Sequence, residues 1–377
     1  IATLSLLTNI AAVPLAAGIV MLGLPTVLAH MLCPALALAP AFAVRLMART
    51  LILLCDSVAE VPFSLVHVPS PSIFVLLCYL GLLFLLSPYF MEFRRHLRRA
   101  MLPAVLGAGA LALMLWLPGA QPRFPEATFF SVGTADCALL RSGSSCFLID
   151  TGWSGSQAVN AVNAEGLSLD AVILTHKDAD HAGGLMRVLQ EVPVATVLVP
   201  LGMPLSGFAQ EMALAEEKGI PVRTLRQGDV LTIGAFEVRV LSPPYVRIGQ
   251  DNADSLVLDV SCGEARMLFL SDVPQETEER LDLPGCDLIK LAHHGSATST
   301  SSDMLRATAP KAAVLSVGTP NRYGFPAAEV LDRLRAAGVA AYRTDECGAV
   351  IAEFTRDGLR VRAYEPPSLW TQWTGLD

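Results

Sequence analysis

Four metal-seeking side chains crowd into six residues of one short segment, LTHKDADHAGG from Leu174 to Gly184: His176, Asp178, Asp180 and His181. His176 and Asp178 stand two apart, so an extended or tightly turned loop can aim both at one cation. Asp180 and His181 can then face a second cation a few ångströms away. Gly183 and Gly184 let the backbone turn sharply beneath the ions and start a helix. Two ions about 3.5–4 Å apart activate a water molecule and steady a leaving oxygen, which is hydrolytic chemistry. One of His293 and His294, in LIKLAHHGSATSTS, could close the second site, and Asp272 in LFLSDV is a candidate bridging carboxylate. Asp180 or Asp272 would orient the water.

The elements that must position these groups follow from pattern. Of seven histidines, His30, His67 and His96 lie in the apolar first third, and the other four occupy only the two places just named. Each place ends an apolar run that reads as a strand, so the side chains would project from loops at a sheet edge, where sites are commonly built. From about Gln121 onward, short β-rich runs (EATFFSV, CALLRSG, CFLIDTG, AVILTH, ATVLVP, FEVRVLSP, SLVLDVS, RMLFLSD, KAAVLSVG) alternate with segments of helical period (QEMALAEEKG, AAEVLDRLRAAG). Gly and Pro punctuate nearly every junction. The mixture predicts strands gathered into sheets with helices outside, a layered α/β domain over 121–365. Residues 366–377, within EPPSLWTQWTGLD, read as a loose tail.

What precedes this domain has a different grammar. The chain is 53% hydrophobic and only 16% charged, too apolar for an ordinary soluble enzyme. No Asp, Glu, Lys or Arg occurs from Ile1 to Val44, from Val61 to Met91, or from Met101 to Pro122. A bilayer-crossing helix needs roughly 20 such residues. Residues 1–120 are therefore expected to be an α-helical transmembrane segment. The first stretch could hold two spans with breaks near His30 and Pro40, and SIFVLLCYLGLLFLLSPYF and MLPAVLGAGALALMLWLP hold one each. RLMARTLILLCDSVAE is amphipathic and is expected at the membrane interface. The four arginines of EFRRHLRR favour the cytoplasmic side, so the last span would exit outward and leave the rest outside the cytoplasm. With no initiator Met, no basic start and no cleavage-like end to its first apolar run, the chain reads as a fragment that begins inside a larger membrane protein.

Charge narrows the partners. The outer domain carries 21 basic and 32 acidic residues, a net of −11. Broad contact with a polyanion is therefore unfavourable, and any nucleic-acid binding must rest on a local patch or on metal ions. Its five cysteines offer no complete disulfide framework. Cys137 and Cys146, flanking ALLRSGSS, could bridge in an oxidising compartment, and buried free thiols are the alternative.

The motifs also carry a resemblance. THKDADHAGG resembles the metallo-β-lactamase superfamily signature in its variant with Asp at the third position. LIDTG, DNADSLVL, LFLSDV, LAHHGS and SVGTPNRYGFP follow in an order similar to the outer domain of ComEC-type DNA-uptake (competence) channels. LLTNIAAVPLAAGIVMLGL is similar to the closing spans of that family's membrane region. The resemblance implies an αββα sandwich over a dinuclear metal site, with His176, Asp178, Asp180, His181, Asp272 and one of His293 and His294 as ligands. Asp150 would support the metal loop from behind the ligands, and Asn252 and Ser255 match polar positions that place substrate or loops. No histidine lies between His181 and His293 to supply a third imidazole, and Asp178 replaces one, which shifts preference from a three-histidine zinc site toward harder ions. Two divalent ions, manganese or zinc (Mn2+ or Zn2+), are expected.

Departures from the family pattern accompany the match. SVGTAD stands where DVGQGD is usual, keeping Gly133 and Asp136 but placing Ser131, Thr134 and Ala135 at the other positions. Ser271–Asp272 stands where Gly-Asp is usual, and Phe325 stands where His is frequent. The resemblance implies a multi-pass protein of a bacterial inner membrane that degrades one strand of incoming DNA outside while the other passes inward, with DNA, membrane lipid and competence proteins as partners. Two other readings fit the same residues: a hydrolase of another phosphodiester or ester, such as a phosphocholine-bearing envelope polymer, or a catalytically degenerate domain that guides DNA.

Overall fold

The computed structural model describes residues 4–32, 34–59, 61, 79–83, 124–243, 252–319 and 321–364. Apart from residues 79–83, the two later apolar stretches, the arginine-rich loop and the C-terminal tail lie outside these residues. The chain forms two compact units, Ile1–Val68 and Pro69–Asp377.

The first unit is a pair of helices, α1 (Ser5–Leu32) and α2 (Pro34–Ala59), packed on each other. Leu7–Leu32 and Pro34–Val58 are each long and apolar enough to cross a membrane. α1 ends at Leu32 and α2 opens at Pro34, close to the break expected near His30, whereas the break expected near Pro40 is corrected, since Pro40 lies inside α2. Pro34 opens the helix because a first-turn proline has no intrahelical N–H bond to lose. The stretch from Arg45 to Ala59 continues α2 and is no separate interfacial element.

The second unit places its strands in two successive groups. β1 (Glu126–Phe129), β2 (Ala138–Ser142), β3 (Ser145–Ile149), β4 (Ala171–Ile173), β5 (Val197–Pro200) and β6 (Val222–Leu225) start one sheet. β7 (Val230–Ile233), β8 (Phe236–Ser242), β9 (Val257–Cys262), β10 (Ala265–Phe269), β11 (Leu288–Lys290), β12 (Ala312–Leu315) and β13 (Ala340–Arg343) make the other. A hairpin, β14 (Val350–Thr355) and β15 (Gly358–Ala363), then returns to the first. The orders are β15-β14-β1-β2-β3-β4-β5-β6 and β13-β12-β11-β10-β9-β8-β7. In each sheet a run of parallel strands (β3 to β6, β10 to β13) adjoins an antiparallel run.

Period-two alternation explains the layering. In β3, Phe147 and Ile149 face the other sheet, while Cys146 and Leu148 face helices. Between the sheets, Phe129 stacks on Phe269 with ring centroids 5.6 Å apart, and Phe236 meets Phe147 and Phe354 edge-on at 5.8 and 5.2 Å. Each such buried ring stabilises the fold by roughly 1.5–3 kcal/mol. Outside the first sheet pack α3 (Ser156–Glu165), α5 (Leu185–Glu191) and α6 (Ala209–Glu217), reached through the short α4 (Ala179–Ala182). Outside the second sheet lie α7 (Gln275–Glu278), α8 (Ser302–Thr308) and α9 (Ala328–Ala336), of which α8 and α9 cover its apolar face. The result is a four-layer αββα sandwich. Cys137 and Cys146 are free and buried, and burial pushes the Cys146 thiol up to about 11.

Candidate metal centre

The candidate side chains follow strand ends of both sheets. Asp150 follows β3, His176 follows β4, Asp180 and His181 ride on α4, Asp272 follows β10, and His293 and His294 follow β11. The α4–α5 turn presses on the Asp150 loop, and a Cβ at Gly184 would stand 2.2 Å from the Gly155 nitrogen. Only glycine fits there. Asp150, Ser271, His293 and His294 all have positive φ, between 48° and 59°. Such left-handed conformations cost non-glycine residues free energy and gather at functional sites.

Three imidazoles are anchored by Nδ1, which turns Nε2 toward the open side of the site. His181 Nδ1 lies 2.7 Å from Asp150 Oδ2, and His294 Nδ1 donates to the Ser316 carbonyl at 2.9 Å. His176 Nδ1 lies 3.2 Å from Thr175 Oγ1 and 3.3 Å from Ser271 Oγ. On the open side, Asp272 divides its oxygens: Oδ1 is 3.2 Å from His181 Nε2, while Oδ2 is 4.0 Å from His176 Nε2 and 3.8 Å from His293 Nε2. Asp178 Oδ2 lies 3.7 Å from His176 Nε2, and Asp180 Oδ2 lies 3.3 Å from His294 Nε2.

Donor atoms of Asp180, His181, Asp272 and His294 all fall within 4.8 Å of one another. His176 Nε2, His181 Nε2 and Asp272 Oδ1 are buried without a hydrogen-bond partner. Buried polar atoms are ordinarily satisfied, because leaving one bare costs about 1–3 kcal/mol. Neutral nitrogen lone pairs and carboxylate oxygens facing one small space are a donor set that a divalent cation satisfies, so the residues fit a metal-binding site.

The carboxylates make this space favourable for positive charge, held at His181 by a proton that a cation would displace. Burial would lower the His181 pKa, yet the Asp272 and Asp150 carboxylates hold it well above the usual imidazole range. Burial and neighbouring His181 lower His176. Burial would raise Asp272, but His181 keeps its carboxyl well below the carboxylate range. Burial would raise Asp180 too, but its hydrogen bond to His294 and the His181 and His294 charges together lower it.

Around this centre lies a supporting layer in which motif reading reaches Asp150, Asp136, Asn252 and Ser255 but not Thr175 or Lys290. Asp150 accepts from the Thr175 N–H and hydroxyl, both at 2.7 Å, and the Ser271 hydroxyl donates to Thr175 Oγ1 at 2.7 Å. Lys290 is buried and donates to Asp136 Oδ2 at 2.7 Å; Asp136 Oδ1 lies 3.6 Å from His294 Nδ1. Lys290 is the lone charge in the run LIKLA, which was the available signal. Asn252 opens a short 3-10 turn, and its carbonyl accepts the Ser255 N–H at 3.2 Å. Ser255 is buried, and Leu256 beside it donates to the Thr175 carbonyl at 2.9 Å, tying this segment to the His176 loop. Phe325 sits against both histidines of the pair, 5.7 Å from His293 and 6.5 Å from His294.

Residues 131–319, half of the chain, match the family model described as the metallo-beta-lactamase superfamily. The chain is 34% identical to ComE operon protein 3 of Bacillus subtilis, over 50% of this chain and 25% of that protein. It is 31% identical to competence protein ComA of Neisseria gonorrhoeae, over 70% of this chain and 39% of that protein. It is 29% identical to recombination protein 2 of Haemophilus influenzae, over 61% of this chain and 29% of that protein. The chain thus spans between a quarter and two fifths of the length of these relatives.

Proposed function

Because the chain belongs to the metallo-β-lactamase superfamily and is homologous to ComEC-type competence proteins, we propose that it serves DNA uptake across a bacterial inner membrane. Its αββα unit would be a metal-dependent phosphodiesterase that degrades one incoming strand. The observation that carries this reading is the set of buried, unpartnered His176 Nε2, His181 Nε2 and Asp272 Oδ1 facing one another. We assign His176, Asp178 and Asp272 to one ion, and Asp180, His181, Asp272 and His294 to the other, with His293 at the Asp272 rim. Manganese and zinc both suit this mixed nitrogen and oxygen set. When bound, the ions supply an activated water and countercharge for a leaving oxygen.

The chain's own residues do the rest. Asp272 presents an oxygen to each half of the site. Asp180, kept ionised by its hydrogen bond to His294 and by the His181 charge, can accept a hydrogen bond from an incoming water and orient it. Asp150 fixes the His181 ring, as carboxylates behind metal-binding histidines do. Two helices long and apolar enough to cross a membrane support a membrane location; in this reading the two later apolar stretches would cross as well, with Arg94, Arg95, Arg98 and Arg99 on the cytoplasmic side. The hydrolase unit would then lie outside the cytoplasm, with lipid and other competence proteins as neighbours.

The test compares digestion of duplex DNA, single-stranded DNA and a small phosphodiester by the whole chain in detergent, with added manganese or zinc. Beside it run His176→Ala and Asp180→Ala. Metal-dependent DNA digestion, reduced about a hundredfold or more in both variants, is expected. Equal digestion by all three proteins removes the assignment. Turnover of the small diester with none of DNA moves the substrate to another phosphodiester.

A further inference from the structure

Beside the centre lies a cleft of about 430 Å³ lined by Thr134, Trp153, Asn321, Arg322 and Tyr323. Both aromatic rings are about half exposed, Trp153 at 48% and Tyr323 at 52%. The cleft continues the site's own loops. Trp153 follows three residues after Asp150, and Tyr323 stacks on Phe325 at 5.6 Å, which in turn meets His293.

The polar groups of this cleft are already engaged. Trp153 Nε1 donates to the Thr134 carbonyl at 3.0 Å, and Thr134 Oγ1 accepts the Gly318 N–H at 3.3 Å. Asn321 accepts the Tyr323 N–H at 3.0 Å and donates to the Phe325 carbonyl. What stays available is the half-exposed Trp153 indole, the part of the Tyr323 ring that its stacking on Phe325 leaves open, and one cation. The Arg322 guanidinium lies 5.0 Å from the Tyr323 ring centroid, donates to the Tyr323 hydroxyl at 2.8 Å, and has no carboxylate partner among the described residues. Flat apolar faces beside an uncompensated cation complement a stack of bases on a phosphate backbone, and they do so without reading sequence. A unit of net charge −11 needs such a local patch if it is to hold a polyanion at all.

We propose that this cleft is a base-stacking subsite for single-stranded nucleic acid, in which Trp153 and Tyr323 take nucleobase faces and Arg322 takes a backbone phosphate. The proposal rests on the nucleic-acid reading of the neighbouring centre and goes beyond it by naming where the strand is held.

Fluorescence anisotropy of the whole chain in detergent, with chelator present to prevent turnover, would measure binding of a labelled dodecameric oligothymidylate and of an abasic strand of the same length. Oligothymidylate should bind about tenfold or more tightly than the abasic strand, and Trp153→Ala or Tyr323→Ala should each remove much of that difference. Trp153→Phe and Tyr323→Phe should keep it, which separates stacking from damage to the fold. Arg322→Ala should flatten the salt dependence by roughly 0.7 of a logarithmic unit, one phosphate contact on a single strand. Equal binding of the two strands, or no binding of either, overturns the subsite, and DNA digestion by the same protein would then leave the hydrolase reading standing. Selective oligothymidylate binding with no digestion would do the reverse.

Discussion

Asp272→Asn should remove stoichiometric metal and lower phosphodiester turnover by about three orders of magnitude, the scale on which losing a fixed electrostatic group at a reacting centre is felt. The substitution keeps the volume of a side chain that is only 2% exposed, so packing is preserved. It replaces a carboxylate, held ionised chiefly by His181 against the pull of burial, with a neutral amide. Both oxygens are committed, Oδ1 toward His181 and Oδ2 toward His176 and His293. An amide offers one acceptor and turns an N–H donor toward the other half of the site. Elemental analysis and initial rates on one preparation check the result. Full metal content with wild-type turnover would end the bridging role.

Lys290→Met should destabilise the αββα unit by about 3–5 kcal/mol, because it leaves a buried carboxylate without its counter-ion. Lys290 and Asp136 are only 3% and 6% exposed, and burial alone would raise the Asp136 pKa, yet Lys290, with smaller help from His294 and His181, holds it below the usual range. Removing the charge on both sides, as Asp136→Asn with Lys290→Met, should restore most of the loss, since an uncharged buried pair needs no countercharge. Urea unfolding followed by tryptophan fluorescence would show the single variant's midpoint well below the other two. Coincident midpoints would mean that the pair contributes nothing to the fold.

The centre was legible in the sequence where its chemistry is local. His176, Asp178, Asp180 and His181 announce themselves within six residues, and the strands before His176, Asp272 and His293 are apolar runs bounded by turn residues. Lys290 was not legible as part of the site, because its partner Asp136 is 154 residues away and only the meeting of the two sheets joins them. Strands at or near sheet edges were also faint. In β6, Arg223 and Thr224 are exposed, so Val-Arg-Thr-Leu carries no clear alternation. The β14–β15 hairpin turns through Arg356 and Asp357, with Thr355 opposite Gly358, whose φ is 115°, and no strong turn pair marks it in the sequence. The break expected near Pro40 failed for a different reason, while the one expected near His30 lies close to the observed boundary. Proline reads as a helix breaker, yet Pro14, Pro25 and Pro40 all stand inside helices.

The candidate ligands come from both sheets, His176 after β4 of one and Asp272 and His294 after β10 and β11 of the other. An ion seated among them would clasp two halves of the sandwich that the interior packing joins only from within. Occupancy then becomes a source of thermal resistance, worth about 2.7 kcal/mol at a hundredfold excess over Kd. A chelator should therefore act on this protein as a mild denaturant and lower its Tm in a scan, whereas an unchanged Tm would mean that the clasp carries no strain from the fold.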